Sequence, residues 1–493
     1  MVGALRAGLP EFDKAEVVKV PGTANSKAGK GARTENSWAD LLAEGRLPRF
    51  ALICLGVWLN AADNLVTATI MPSVGAQLGG YAYFSWATAG FLVGAILAGA
   101  SSGRISERFG LRGATAAAGV IMAAGCVMSA LAPDIATFLV GRLIQGLGSG
   151  WISGFAMVAI ALLFPERHLA RVFASVTFVW GIATVLGPLF GGLVVQAGNW
   201  RDVFWLFAAQ TAVFGAAAPF LLRGSSAAGG GPGIPWLQLG VLGAGVAAIA
   251  VADVIPAAGL SIGLVFAGLA ILALVIWIDN RATVRLLPHR AGDLRTVCGS
   301  GYLAMFAMTA ATMGFAIYAP PILQQLRGFS PLAAGYTIGA ESAAWTLAAM
   351  LVAGATGLWD ARWIRIGVVC LVASLVVLAW TMADGAFVWV ILGGSLMGAA
   401  FGFSWAFISR RLIMALSDDD KAIGSSAVTA VRQTGAAAGA AISGVAANLS
   451  GFSAGVTDHS ARATSLWIYV AVIPLALIGG WAAFRMTGTA ERA

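Results

Sequence analysis

The sequence predicts an all-α membrane protein of fourteen transmembrane helices, arranged as two six-helix bundles plus two extra linking helices. Three observations predict it. The chain is 59% hydrophobic and 11% charged, with mean hydropathy +0.84, far too little charge to keep 493 residues dispersed in water. Apolar runs of about 20 residues, the length a helix needs to cross the hydrocarbon core, recur along the chain. The first and last blocks of these runs also resemble one another. Strands would alternate polar and apolar residues and would have to close into a barrel, so helices are the expected element.

The blocks follow in order. Residues 1–46 are polar and mixed in charge, and are expected to form a disordered cytoplasmic tail. No apolar stretch precedes residue 50, so the first span is expected to serve as insertion signal in place of a cleaved peptide. Six spans fill 47–223, centred near 60, 92, 122, 149, 181 and 211. A Gly/Ser-rich break (223–233) leads to two linking spans over 234–279, centred near 244 and 268. A basic cytoplasmic loop covers 280–297, and six more spans fill 298–486, centred near 309, 344, 373, 399, 435 and 475. Residues 487–493 form a short tail.

The net charge of +8 has a topological cause. With the N-terminus cytoplasmic, 25 of the 30 Lys and Arg fall on the cytoplasmic side, 3 outside (Arg201, Arg327, Arg462) and 2 within spans (Arg142, Arg432). This positive-inside bias orients the chain, and an even number of spans returns the C-terminus to the cytoplasm. The basic surplus therefore gives no reason to expect nucleic acid as a partner. The four cysteines and three histidines are scattered without metal or disulfide spacing.

The internal repeat is explicit. FSWATAGFLVGA (84–95) aligns without a gap to FSPLAAGYTIGA (329–340), and each copy runs on into a similar close, AGASSGRISER (98–108) and AGATGLWDAR (353–362). Gly146, Gly150 and Gly154 are echoed by Gly394, Gly398 and Gly402 at the same four-residue spacing, which lets helix backbones approach closely. Duplicated halves with a site between them are a common plan for rocking transporters. Glu341 follows the matched block where the first copy has Ile96, and Arg142 has no basic counterpart near 390–394. A polar group present in one half only is not required by the shared scaffold.

Asp63 is the most informative single residue. Asn60, Asp63, Asn64 and Thr67 fall at i, i+3, i+4 and i+7, on one stripe of the first span. A carboxylate at membrane depth is costly unless it faces a cavity or a partner. The expectation is that the stripe faces an aqueous cleft shared by the two bundles. The alternative is a structural ion pair, with Arg142 as partner. Glu341 either couples or contacts substrate, or it pairs with Arg432. Arg432, Gln433 and Thr429 share a face of their span, as substrate contacts or as packing groups. Tyr318, Tyr336, Trp180, Trp345 and Trp405 are candidates for a cavity lining or for interface belts. Asp253 reads as interfacial, and Asp418, Asp419 and Asp420 as a solvated acidic run. No Walker A phosphate loop and no catalytic triad are visible.

Four passages resemble the major facilitator superfamily, in particular its fourteen-span drug:proton antiporter branch. GRISERFGLRG (103–113) is similar to the cytoplasmic latch loop between spans 2 and 3, with Gly103, Glu107, Arg108, Gly110 and Arg112 matching in kind; Glu107 stands where Asp is usual and Leu111 where a basic residue is usual. GRLIQGLGSG (141–150) resembles the span 4 motif through Arg142, Gln145 and Gly146. GPLFGG (187–192) resembles the span 5 antiporter motif through Gly187, Pro188, Gly191 and Gly192. Asp63 lies nine residues before Pro72, the spacing of the branch's span 1 motif, though the motif's Thr is missing. NWRDVFW (199–205) adds support.

The resemblance implies a secondary active transporter of the plasma (cell inner) membrane, with both termini cytoplasmic and no enzymatic activity. It implies proton-coupled export of a small amphipathic or hydrophobic compound by alternating access. Asp63 and Glu341 would be the proton-coupling or substrate residues, tuned by Arg142 and Arg432, with Asn60 and Asn64 beside them. The proton motive force would drive the cycle, with no cofactor and no metal. The partners expected are a small-molecule substrate, protons and the lipid bilayer. An importer or a lipid or siderophore transporter of the same fold is the alternative reading. A membrane sensor or enzyme is the reading of a different class, and it lacks a catalytic cluster.

Overall fold

The computed structural model describes residues 46–80, 83–164, 166–222, 233–253, 255, 257–352, 358–417 and 420–489. The expected disordered tail, save Arg46, and most of the Gly/Ser-rich break lie outside the described residues, as do Asp418 and Asp419. The first half comprises α1 (Arg46–Leu78), α2 (Phe84–Phe109), α3 (Leu111–Ala130), α4 (Ile135–Leu163), α5 (Glu166–Ala197) and α6 (Arg201–Leu221). The linking pair is α7 (Trp236–Asp253) and α8 (Ala258–Asp279). The second half comprises α9 (Val297–Arg327), α10 (Pro331–Val352), α11 (Leu358–Thr381), α12 (Phe387–Met414), α13 (Lys421–Leu449), α14 (Asp458–Val470) and α15 (Ile473–Thr489). The last two share one pass, interrupted at Ala471 and Val472, so the described helices make fourteen passes. Residues 46 and 489 therefore lie on one face, called the terminal face below.

Local chemistry sets several helix ends. Asp134 caps α4 by accepting the Thr137 N–H at 2.8 Å, and Thr296 caps α9 by accepting that of Gly299 at 3.0 Å. Thr457 and Ser460 form a reciprocal capping box at α14. Gly110 (φ 76°) makes the turn between α2 and α3, and Gly328 (φ 62°) ends α9 in the left-handed conformation. Nine helical segments among the described residues are long and apolar enough to cross a membrane. Neither α10 nor α13 is among them, and these helices carry Glu341 and Arg432.

The internal repeat reappears as packing. In the first half, a Cβ on Gly146 or Gly150 would strike the α2 backbone at Phe91 or Ala95. In the second half, a Cβ on Gly398 or Gly402 would strike the α10 backbone at Glu341 or Trp345. Gly150 thus meets Ala95, and its echo Gly398 meets the residue after Ala95's aligned partner. Both halves use glycine to bring the same pair of helices into backbone contact.

The halves meet along two seams, α2 with α13 and α5 with α10. At the first seam Phe91, Leu92, Ala95 and Ile96 pack on Ala436 and Ala437. At the second, Gly192 abuts Leu332, whose Cα is 2.7 Å from where a Gly192 Cβ would sit. Among the described residues the linking pair packs on the first seam: Trp86 of α2 donates its indole N–H to the Ala250 carbonyl at 2.7 Å, and Ile249 and Ala250 pack with Ala438 and Ala441 of α13. The NWRDVFW passage closes the far end of the first half. Trp200 packs edge-on against Phe138 and Phe204 and donates to Gln77 at 2.6 Å.

Candidate ion-coupling and substrate site

The polar stripe of α1 faces α4. Arg142 donates from one guanidinium nitrogen to both carboxylate oxygens of Asp63, at 2.7 and 3.0 Å. Asp63 is 0% exposed and Arg142 1%, so the pair is sealed from solvent. Arg142 also donates to Gln145 and, through Nε, to the Ala87 carbonyl at 3.1 Å, and lies over the Phe91 ring at 4.6 Å. Gln145 passes the network on to α3, donating to Ser129 at 2.8 Å and to the Gly125 carbonyl at 3.1 Å. One turn away, Asn60 donates to Ser149 at 2.7 Å and Ser153 at 3.1 Å. Thr67 is buried, and the Asn64 side chain lies outside the described residues.

This corrects the expectation of a cleft-facing Asp63. The stripe turns inward because Arg142, which needs a counter-charge at membrane depth, sits opposite on α4. The alternative of an ion pair with Arg142 is what the structure contains. Ser149 and Ser153 were not singled out in the sequence, yet the signal was present: Arg142, Ser149 and Ser153 recur at i, i+7 and i+11 on one face of α4.

The second half differs. Glu341 lies midway along α10 and Arg432 along α13; both are half-buried. No ion pair or hydrogen bond joins them, so of the two alternatives the Glu341–Arg432 pair is not what the structure contains. The two helices belong to different seams, α10 to that with α5 and α13 to that with α2, which separates the charges. Gln433 is half-buried and Thr429 exposed. Beyond Glu341, Trp345 packs on Phe401 (5.2 Å), which stacks on Trp405 (6.1 Å), so these rings form a ladder between α10 and α12. Tyr318 is fully buried against Phe452 and lines no open surface, whereas Tyr336 and Trp180 are exposed.

The glycine motif of α5 serves α1 and α10. Gly187 and Gly191 lie against Leu65 and Val66, two and three residues after Asp63 on α1, and Gly192 meets α10. The helix continues through position 188, whose side chain lies outside the described residues. In the latch loop, Arg108 and Arg112 are exposed, while the side chains at Gly103 and Glu107 fall outside the described residues. The second half has a charged contact at the corresponding turn: Asp360 at the start of α11 accepts from Arg410 and lies 4.0 Å from Arg411 at the end of α12. The sequence reading passed over this contact, although WDAR closes the repeated block. Asp420 accepts the His289 N–H at 3.0 Å, so the basic loop is tied to the start of α13. The Asp253 side chain lies outside the described residues. Among the described residues no His, Cys, Asp and Glu group has metal-site geometry.

Residues 53–440 match the family model of the Major Facilitator Superfamily. The chain belongs to the major facilitator superfamily. It is a multi-pass membrane transporter that handles small molecules, and it is not an enzyme. A probable multidrug-efflux transporter of Mycobacterium tuberculosis is 28% identical over 481 residues, covering 92% of this chain and 98% of that protein. Multidrug resistance protein 3 of Bacillus subtilis is 30% identical over 155 residues, 31% of this chain and 30% of the relative. Among solved structures, a D-xylose-proton symporter superposes with TM-score 0.61 at 19% identity, covering 90% of this chain and 97% of that one. A bacterial homologue of the human lysosomal transporter Spinster, in an inward-facing conformation, gives TM-score 0.63 at 16% identity, covering 91% and 98%. At these identities the two structures speak to the fold alone.

Proposed function

We propose that the protein exports a small amphipathic or hydrophobic compound across the plasma (cell inner) membrane in exchange for protons, by alternating access between its two halves. The observation that carries this reading is the sealed Asp63–Arg142 pair, present in one half of a duplicated scaffold and absent from the other. A buried pair is a poor stabiliser, since an apolar pair of similar volume is often as stable. Protonation of Asp63 would remove its attraction for Arg142 and loosen α1 from α4. Gly187 and Gly191 put that movement in direct contact with α5, which forms a seam with the second half. Glu341, half-buried and without an ion-pair partner among the described residues, is the proposed second titrating group. Arg432 supplies positive charge on the other seam helix. The export direction and the drug-like cargo rest on the M. tuberculosis relative's name and on the span 5 motif. The inward proton gradient would supply the energy, at about 2.3 kcal/mol per charge per 100 mV. Both termini are then cytoplasmic, in keeping with the positive-inside count.

The test begins with a thermal-shift screen of drug-like compounds on purified protein at two pH values, followed by flux of a hit in vesicles. Wild-type protein should move the hit against its gradient only when a proton gradient opposes it. Accumulation unaffected by proton ionophore would overturn the coupling, and accumulation in the same direction as the protons would overturn export.

A further inference from the structure

The lipid-facing seam between α11 and α15 carries a cluster of arginines at one end; at the other, Arg327 is engaged by the carbonyls that end α11 and Arg462 by Asp384. The helices run antiparallel, with Gly480 packed on Val368 and Arg365 lying over the Phe484 ring at 5.8 Å. Arg365 also donates to the Thr487 hydroxyl at 3.3 Å. This register places Arg362 and Arg485 within about one helical turn of each other, at the terminal face. Each lies over an exposed indole: Arg362 over Trp359 at 4.9 Å, and Arg485 over Trp481 at 5.4 Å. Trp359 is 51% exposed and Trp481 49%, so both rings face outward where tryptophans anchor at a bilayer interface.

Below the arginines the surface is apolar. Ile366 and Val369 on α11 and Leu477 on α15 are all exposed, and they continue the stripes that begin at Arg362 and Arg485. The other end of α11 has no such arginines on this stripe; Trp380 occupies it, 84% exposed. A row of apolar side chains crowned by convergent guanidinium groups matches one kind of molecule, an acyl chain joined to an anionic head.

We propose that the α11–α15 seam at the terminal face is a binding site for an anionic phospholipid. Arg362, Arg365 and Arg485 hold the headgroup phosphate, while the acyl chains lie along Ile366, Val369 and Leu477. Guanidinium groups suit phosphate because they donate two parallel hydrogen bonds. Basic pockets between helices on the cytoplasmic side are suited to such headgroups. The site lies away from the Asp63–Arg142 pair and does not depend on the direction or coupling of transport.

The experiment uses full-length protein stripped of lipid in detergent, with phosphatidylglycerol, phosphatidylcholine or inorganic phosphate added, and reads bound lipid by native mass spectrometry. Phosphatidylglycerol should bind far more tightly than phosphatidylcholine, and inorganic phosphate should not displace it. R362Q/R485Q should weaken phosphatidylglycerol binding roughly thirtyfold, the loss expected for two basic residues near an anionic surface. R362K/R485K should retain most of it. Hydrogen exchange should show phosphatidylglycerol protecting the first turns of α11 and the last turns of α15. Equal binding of the two lipids, displacement by phosphate, protection elsewhere only, or unchanged binding to R362Q/R485Q would each overturn the proposal. If R362Q/R485Q fails to fold, the wild-type lipid comparison and exchange map still decide it.

Discussion

The two halves share a scaffold and treat their membrane-buried charges in opposite ways. In the first, Asp63 and Arg142 neutralise each other in a sealed network that also engages Gln145, Ser129 and the Ala87 carbonyl. In the second, Glu341 and Arg432 sit on helices of different seams, half-buried and without each other. The difference teaches that the two halves share a frame without sharing their charges. The frame is the glycine-mediated contact, α2 on α4 and α10 on α12, which both halves keep. Glu341 stands where the first half has Ile96, and Arg142 has no basic counterpart near 390–394. A sealed pair acts through its breakage. Charges held apart at a seam act through what approaches them.

The contrast breaks most visibly when one partner of the sealed pair is removed. Arg142→Gln leaves Asp63 buried without its counter-charge and should cost about 3 to 5 kcal/mol, read as a large drop in thermal unfolding temperature in detergent. Asp63→Asn should fall in the same range, whereas the double variant should recover most of the loss. Near-equal stability of all three would mean the pair is solvated and not sealed. Next in size are the shared frame positions. Gly146→Ala and Gly398→Ala each drive a Cβ into a facing backbone oxygen, of Phe91 and Glu341 respectively, and each should destabilise by about 1 to 3 kcal/mol. Comparable losses would show that the two halves use the contact equally; a loss confined to one would dissolve the repeat as a packing unit.

Glu341→Gln should change stability by less than about 1 kcal/mol, because no ion pair is broken. Its effect should appear in the pH profile of transport, flattened relative to wild type in vesicles. A large stability loss with an unchanged profile would make Glu341 a structural residue. The smallest effect concerns the linking pair. Trp86→Phe removes one hydrogen bond to Ala250 and should cost about 1 kcal/mol, while loosening α7 from the first seam as read by hydrogen exchange.

Much of the fold was legible because each signal was local. Apolar length marks nine of the passes among the described residues, while α10 and α13 fall short of it because their polar residues dilute it, and the Gly146/Gly150/Gly154 spacing with its echo marks the close helix pairs. The site was legible only in part. The stripe Asn60, Asp63 and Thr67 fixes a helix face from sequence alone, but which neighbour that face meets is a tertiary fact. The stripe was expected to face water and instead meets Arg142, Ser149 and Ser153. The sequence left open whether Glu341 pairs with Arg432 for the same reason: two opposite charges in apolar sequence suggest a pair, and only the packing reveals that α10 and α13 lie on separate seams. Asp360 with Arg410 and Arg411 escaped notice because its partners are about 50 residues apart in the chain.

The central claim is that the Asp63–Arg142 pair couples proton movement to transport and is not mere scaffolding. The most direct measurement is proton-driven export in reconstituted vesicles by the double variant Asp63→Asn/Arg142→Gln, with its folding verified by thermal unfolding. The account predicts a folded protein that binds the compound but no longer exports it against its gradient. A folded double variant exporting at the wild-type rate would contradict the account.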